Sequence, residues 1–310
     1  MGIKNITVIG TGTIGMSWIL FYLSKGFHVT ANDIAPQADE KIRAFIKNNW
    51  KDISAQSGSI EDAFLRFNFT EDLEDALRHA DFVHENGPEN LNFKQQLFAK
   101  IDAVLAAHIG VASSTSGIPM SAMQEALTLH PERFFIAHPF NPPHIMPLVE
   151  ILGGEKTDPK ILKNFVGFFN DLGKKAVLLK KELPGHVANR IAWALWKEVL
   201  WLIQEDAISV TDVDTVVSAG PGLRWGVMGP NLLYHLGGGA GGIEHFLDQF
   251  GDQWNEEFKK MQNPELNSSL RQKLIEGIKD EVGEQSISQL EEKRNQVLLG
   301  LIDLKKKANL

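Results

Sequence analysis

The period of the apolar positions changes along the chain. In the first part, short apolar runs alternate with stretches whose apolar side chains recur at helical spacing. Asn5–Ile9, Phe27–Asn32, Phe82–Glu85, Val111–Ser114, Ile136–His138 and Leu148–Leu152 read as buried strands. Thr13–Lys25, closed by Gly26, reads as a helix, as does Phe93–Ala107 with Phe98, Ile101 and Leu105 on one face. Pro36 suits the first turn of a further helix running to about Trp50. Such alternation predicts a doubly wound α/β domain, a parallel sheet covered on both faces.

Beyond Leu183-Pro184-Gly185 the period becomes helical throughout. Val187–Glu205, Asp212–Ser218, Glu244–Lys260, Ser269–Glu281 and Ser288–Lys306 read as helices, and no strand signal follows. The expected domains are therefore residues 1–184, α/β, and 185–310, all-α. Several apolar helices in so small a piece imply that some bury a face against a second copy of the chain. The glycine run Gly237–Gly242 reads as a connection between helices or as a phosphate nest.

Composition excludes whole classes. With 43% hydrophobic and 23% charged residues over 310 positions, the chain is that of a globular protein. The net charge of −8 argues against a nucleic-acid partner, which would call for a basic face. No cysteine is present, so there is no disulfide, thiol nucleophile or thiolate metal site. No apolar run is long enough to span a membrane, and the N-terminus carries no secretion signal, so the expected compartment is the cytoplasm. His138 and His144 lack a matching ligand set, and no metal is expected.

Chemistry enters at two places. The run Gly10-Thr11-Gly12-Thr13-Ile14-Gly15 follows an apolar strand and opens a helix, the context in which this spacing binds a dinucleotide. Gly10 permits the turn, Gly12 lets backbone approach a pyrophosphate, and Gly15 lets helix pack on strand. Asp33 closes the second strand, 18 residues after Gly15. A carboxylate there accepts the adenosine ribose hydroxyls and repels a 2′-phosphate, so NAD is expected rather than NADP.

The second place is His138-Pro-Phe-Asn-Pro-Pro, continuing to Pro147-Leu-Val-Glu150. It reads as two extended pieces around a proline-stiffened turn. One turn and return brings Glu150 to the far nitrogen of His138, which a general base needs to keep a single tautomer. A polar cluster, Ser113-Ser-Thr-Ser116, lies upstream.

In their order, Gly10–Gly15, Asp33, Ser116, His138, Asn141, Glu150 and Pro184-Gly-His-Val-Ala-Asn189-Arg190 resemble the 3-hydroxyacyl-CoA dehydrogenase family over nearly the whole chain. The resemblance implies a Rossmann-type N-terminal domain and an all-α C-terminal dimerisation domain, hence a homodimer. It implies His138 as catalytic base and Glu150 as its partner, with Ser116 and Asn189 holding the substrate hydroxyl. It also implies Asn141 at the nicotinamide end and Glu89 and Lys94 near the cofactor. Within the family, the segments Ala194–Glu198, Gly222–Trp225 and Gly241–Gly251 are most similar to members that oxidise L-carnitine, and next to those acting on L-gulonate.

The aromatic residues have a reading of their own. Trp193, Trp196 and Trp201 follow Asn189, and Trp225 and Tyr234 lie in a turn-rich stretch. A quaternary ammonium carries no donor and is recognised by aromatic faces, so Phe140, Trp193, Trp196, Trp225 and Tyr234 are candidate contacts. Each of them reads equally as core or interface. Arg224, and less so Arg190, is a candidate partner for a carboxylate. The expectation is an NAD-dependent dehydrogenase of a short 3-hydroxy acid. An acyl-CoA or sugar-acid substrate, or an NAD(H)-binding protein without turnover, stands as the alternative.

Overall fold

The computed structural model describes residues 2–53 and 58–310, and the chain divides into two compact units, Met1–Arg190 and Ile191–Leu310. The division falls a few residues past the change of period, because backbone of the 186–188 stretch bonds back to the first unit.

The first unit is an eight-stranded sheet in the order β3-β2-β1-β4-β5-β6-β7-β8. The strands are β1 Asn5–Ile9, β2 His28–Asn32, β3 Phe67–Thr70, β4 Phe82–Glu85, β5 Gly110–Ser113, β6 Phe134–Pro139, β7 Leu148–Gly153 and β8 Lys175–Leu178. Chain direction winds outward from β1 both ways, and every pair is parallel except β6 with β7. Helices α1 Thr13–Ser24, α2 Ala38–Asn49, α3 Ile60–Leu65, α4 Leu73–Leu77, α5 Leu91–Val104, α6 Met120–Gln124 and α7 Pro159–Asp171 complete the unit.

The period-2 alternation of the strands feeds two cores. Ile6, Val8, Phe82, Ala112 and Phe135 pack under α1 and α7 with Trp18, Phe165 and Phe169. Their sequence neighbours Val83, Val111, Phe134 and Ile136 pack with Phe98 and Ile101 of α5 and Met120 and Met123 of α6. Both faces are covered, as a parallel sheet requires.

The second unit is all helix. Its elements are the body of α8 (Ala188–Gln204), α9 Val210–Ala219, α10 Pro221–Val227, α11 Pro230–Gly237, α12 Gly242–Lys260, α13 Ser268–Val282 and α14 Ile287–Lys307. A small core of Val199, Leu200, Ile203, Val210, Val213 and Leu270 joins α8, α9 and α13. A second cluster stacks Tyr234, Phe246, Phe250 and Trp254 between α11 and α12.

Several elements differ from the sequence reading. The two unforeseen strands, β3 and β8, are the outermost of the sheet, where a short strand needs little apolar character. Pro36 lies before α2, whose N-cap is Gln37 in the left-handed region at φ 60°. The segment holding Trp225 and Tyr234 forms α10 and α11 rather than turns. Pro221 and Pro230 stand in their first turns, where the missing N–H costs nothing. Gly237–Gly242 connects helices through one short 3-10 turn.

Candidate active site

At the carboxyl end of β1 the backbone turns into α1 through Gly10, at φ 82°. A Cβ on Gly10 would lie 2.6 Å from the Asn86 carbonyl carbon, and one on Gly15 would lie 2.0 Å from Gly10 O. A Cβ on Gly12 would meet nothing within 4 Å. Two glycines thus serve the turn and the helix–strand contact, and the third opens onto the start of α1. The first-turn amides of α1 have no acceptor within the helix and face an anion favourably. This cradle fits a dinucleotide pyrophosphate.

Asp33 lies beside it. Its Oδ2 accepts from Thr11 N and Thr11 Oγ1, both at 2.7 Å, and its Oδ1 from Ala35 N at 2.9 Å. Burial alone would raise this carboxyl. The Thr11 hydroxyl and the Ala35, Thr11 and Ile34 amides outweigh it and hold Asp33 below its ordinary value. The carboxylate is therefore charged, fixed and half-buried.

The antiparallel pairing of β6 with β7 sets His138 directly opposite Glu150. His138 Nδ1 lies 2.8 Å from Glu150 Oε2, which leaves Nε2 as the nitrogen available for proton transfer. Glu150 Oε1 accepts from Val187 N at 2.9 Å and Ala188 N at 3.0 Å, so the same carboxylate caps the start of α8. Burial would raise the Glu150 carboxyl, but the bond with His138 and the two amides together lower it. Both side chains are buried, His138 at 6% and Glu150 at 2% exposure.

The turn between these strands is anchored from below. Lys174 donates to Pro143 O and, at 3.0 Å, to Met146 O, and its ammonium lies 4.0 Å from the Phe21 ring centroid. Burial, helped by Lys25, pushes Lys174 down to about 7. His144 Nδ1 lies 2.7 Å from Ser17 Oγ, which ties the turn to α1. No sequence motif marks Lys174, since it lies far along the chain from the turn it holds. Phe140 is half-buried in this hairpin and Asn141 is exposed at its tip.

The cluster Ser113–Ser116 resolves into distinct roles. Ser113 Oγ donates to Glu85 Oε2 at 2.6 Å. Ser114 Oγ accepts from Trp18 Nε1 at 3.1 Å and meets His84 Nε2 at 3.0 Å. Thr115 Oγ1 donates to Glu89 Oε1 at 2.5 Å. Among the described residues, only the Ser116 hydroxyl of the four is not engaged by protein, and Ser116 is exposed. Its amide, with that of Gly117, donates to Glu89 Oε1 at 3.1 and 2.9 Å.

Glu89 thus holds the Ser116 loop. Lys94 is buried and donates to Glu85 at 2.7 and 2.9 Å and to Gly87 O at 3.3 Å, which orders the loop after β4. Half-buried Asn189 and exposed Arg190 open α8, and neither Ser116 nor Asn189 bonds His138 directly.

His186, which no spacing argument singled out, is packed on His138 with ring centroids 4.9 Å apart. Trp193, Trp196, Arg224, Trp225 and Tyr234 belong to the second unit. Asn189, Trp193 and Trp196 follow one another at i, i+4 and i+7, on one face of α8. Trp193 is 53% and Trp196 51% exposed, whereas Tyr234 spends its ring on Phe246 and Trp254, both at 5.1 Å.

The fixed charge of Asp33 generates a prediction. Asp33→Ala removes a charge-assisted contact worth about 1.5–3 kcal/mol, so NAD affinity should fall about ten- to a hundredfold. NADP affinity should fall much less, because repulsion of the 2′-phosphate is relieved. Titration of both cofactors by fluorescence measures the ratio, and an unchanged ratio overturns the ribose role of Asp33.

Comparison with known proteins follows this geometry. The 3-hydroxyacyl-CoA dehydrogenase NAD binding domain matches residues 5–183, and the C-terminal domain of the same family matches residues 185–279. The L-carnitine dehydrogenase of Oceanobacillus iheyensis is 38% identical over 304 residues, 97% of this chain and 98% of the relative. That of Bacillus cereus is 38% identical over 305 residues, 98% and 93% of the two chains. A solved structure of an NAD+-dependent dismutase, 5-formyl-3-hydroxy-2-methylpyridine 4-carboxylic acid 5-dehydrogenase, superposes with a TM-score of 0.82 at 29% identity, covering 98% and 99% of the chains. With both domain models matched in order and these relatives spanning its length, the chain belongs to the 3-hydroxyacyl-CoA dehydrogenase family of NAD-dependent oxidoreductases.

Proposed function

We propose that this enzyme oxidises the 3-hydroxyl of L-carnitine to 3-dehydrocarnitine, with His138 as general base. The observation that carries the mechanism is the 2.8 Å contact of His138 Nδ1 with Glu150, which frees Nε2 to take the hydroxyl proton. NAD, when bound at Gly10–Gly15 and Asp33, supplies the acceptor for the hydride that leaves C3. As the C3–H and O–H bonds break, the carbonyl forms and His138 becomes an imidazolium, whose charge Glu150 offsets. Ser116, with its free hydroxyl, and Asn189 hold the reacting oxygen against Nε2, and Asn141 borders the nicotinamide end.

Carnitine is supported by the relatives named for it and by the aromatic face of α8. Its trimethylammonium group calls for aromatic faces, for which Phe140 of the first unit and Trp193, Trp196, Trp225 and Tyr234 of the second are the candidates, and its carboxylate calls for a cation such as Arg224. Of these, Tyr234 is the weakest, because its ring is already stacked. Two copies of the chain would pair through the second unit. Leu223, Leu236, Leu247, Val297 and Leu304 are all more than half exposed in the single chain, side chains that such a pairing would cover.

Three outcomes follow. His138→Ala should reduce kcat about 10²–10⁴-fold while NAD binding holds, and parental turnover would remove His138 from the mechanism. For the substrate, kcat/KM should be compared among L-carnitine, 3-hydroxybutyrate, L-gulonate and 3-hydroxybutyryl-CoA. Uncharged 3-hydroxybutyrate should show a KM about ten- to a hundredfold above that of carnitine, since each lost ring contact is worth about 0.5–2 kcal/mol. A higher kcat/KM for gulonate or the CoA ester would overturn carnitine and leave the base intact. Sedimentation at micromolar concentration should give the dimer mass, and a monomer would overturn the pairing.

A further inference from the structure

His186 stands in an unusual setting. Its backbone is left-handed, at φ 50°, immediately after Gly185 at φ 76°. That region favours glycine, yet a large ring is kept there at a steric cost. The ring is 2% exposed. Its Nε2 lies 3.0 Å from Thr115 O, a carbonyl, so Nε2 carries the proton. In the neutral ring Nδ1 is then a bare acceptor, and it is buried with no hydrogen-bond partner among the described residues. The His138 ring lies against it, centroids 4.9 Å apart and planes at 57°.

We infer that His186 is a positioning residue for the His138–Glu150 pair, binding the Thr115–Ser116 loop to that pair and supporting turnover only as the neutral imidazole. The inference rests on the proposed base role of His138. Three consecutive residues make the connection. The His186 ring takes the Thr115 carbonyl, and the amides of Val187 and Ala188 take Glu150. The backbone that presents the Ser116 hydroxyl and the carboxylate behind His138 are therefore held by one short segment.

Neutrality follows from the reaction. His138 gains a proton during oxidation, and a second cation packed on its ring would oppose that gain. The titratable groups facing His186 are His138, Glu150 and Glu89. Burial lowers His186 and the bond to Thr115 opposes it, while His138 lowers it further and Glu150 and Glu89 raise it. The balance is downward, which keeps the ring uncharged beside a base that must cycle.

The test uses the full chain with saturating NAD and two variants. His186→Gln retains an N–H donor for Thr115 O but cannot titrate. His186→Phe retains the ring and loses the donor. The acid limb of kcat/KM should steepen toward two protons in the parent and toward one in His186→Gln. At neutral to alkaline pH, His186→Gln should keep kcat within about threefold, whereas His186→Phe should lose about ten- to a hundredfold with KM for NAD unchanged. A parental kcat in His186→Phe, or a two-proton limb surviving in His186→Gln, overturns the inference.

Nitrogen-15 spectra of the histidine rings in the NAD-bound protein need no turnover and no folded variant. They should show His186 protonated on Nε2 alone and neutral throughout the pH range of full turnover. A ring protonated on Nδ1, or charged within that range, overturns the inference as well. Failure of the base role itself is read separately, from turnover of His138→Ala.

Discussion

Glu150 is buried, and a buried carboxylate ionises only if its surroundings replace the water it has lost. Three donors do so here: the His138 ring and the amides of Val187 and Ala188. The ring gains a fixed tautomer from the carboxylate and α8 gains a cap from it through both amides, and all three contacts depend on β7 staying in register with β6. Shifting that register by one residue would turn Glu150 to the other face of the sheet and cost all three at once. This is a reason for the single antiparallel pair in an otherwise parallel sheet. Parallel strands require a long crossover, whereas a hairpin sets residues only 12 apart face to face.

How much of this was legible in the sequence depends on the range over which each signal acts. The glycine cradle and Asp33 are local, with spacing fixed by one turn and one strand, and they stood out at once. So did His138 and Glu150, because a proline-bounded turn limits where the returning strand can lie. The central strands were legible because both faces are buried. The edge strands β3 and β8 were not, since an edge is only partly covered and carries a weaker apolar run. Helices α10 and α11 were hidden by prolines and glycines that mark their starts and ends but read as turns.

Contacts made across long stretches of chain left no pattern to read. The four polar residues Ser113–Ser116 look equivalent in sequence, yet three of their hydroxyls are consumed by Glu85, His84 and Glu89. Only the partners decide which hydroxyl is left for a ligand, and those partners lie on β4 and the loop after it. Lys94 shows the same limit. The family resemblance implies a place near the cofactor for it, whereas its contact with Glu85 at 2.7 Å left no mark in the sequence. Lys174 and His186 are invisible for this reason too, since each acts on a segment far from its own position in sequence.

The proposed mechanism asks one buried imidazole to carry the proton. Four imidazoles are buried in the first unit, those of His84, His138, His144 and His186, and their partners differ. His84 is pushed down to about 3 with no carboxylate to offset its burial, and it hydrogen-bonds Tyr22 and Ser114 as a neutral structural group. His186 is lowered by burial and by its neighbour. His144 spends Nδ1 on Ser17 Oγ, with the Asp52 carboxylate 3.9 Å from its Nε2, whereas His138 has Glu150 at 2.8 Å on one nitrogen and, among the described residues, no hydrogen bond on the other. A charged ring hydrogen-bonded to a buried carboxylate is therefore supported opposite Glu150. A base chosen by its surroundings needs competitors to be silenced as much as it needs a partner, and the two neutral histidines meet the first requirement while Glu150 meets the second.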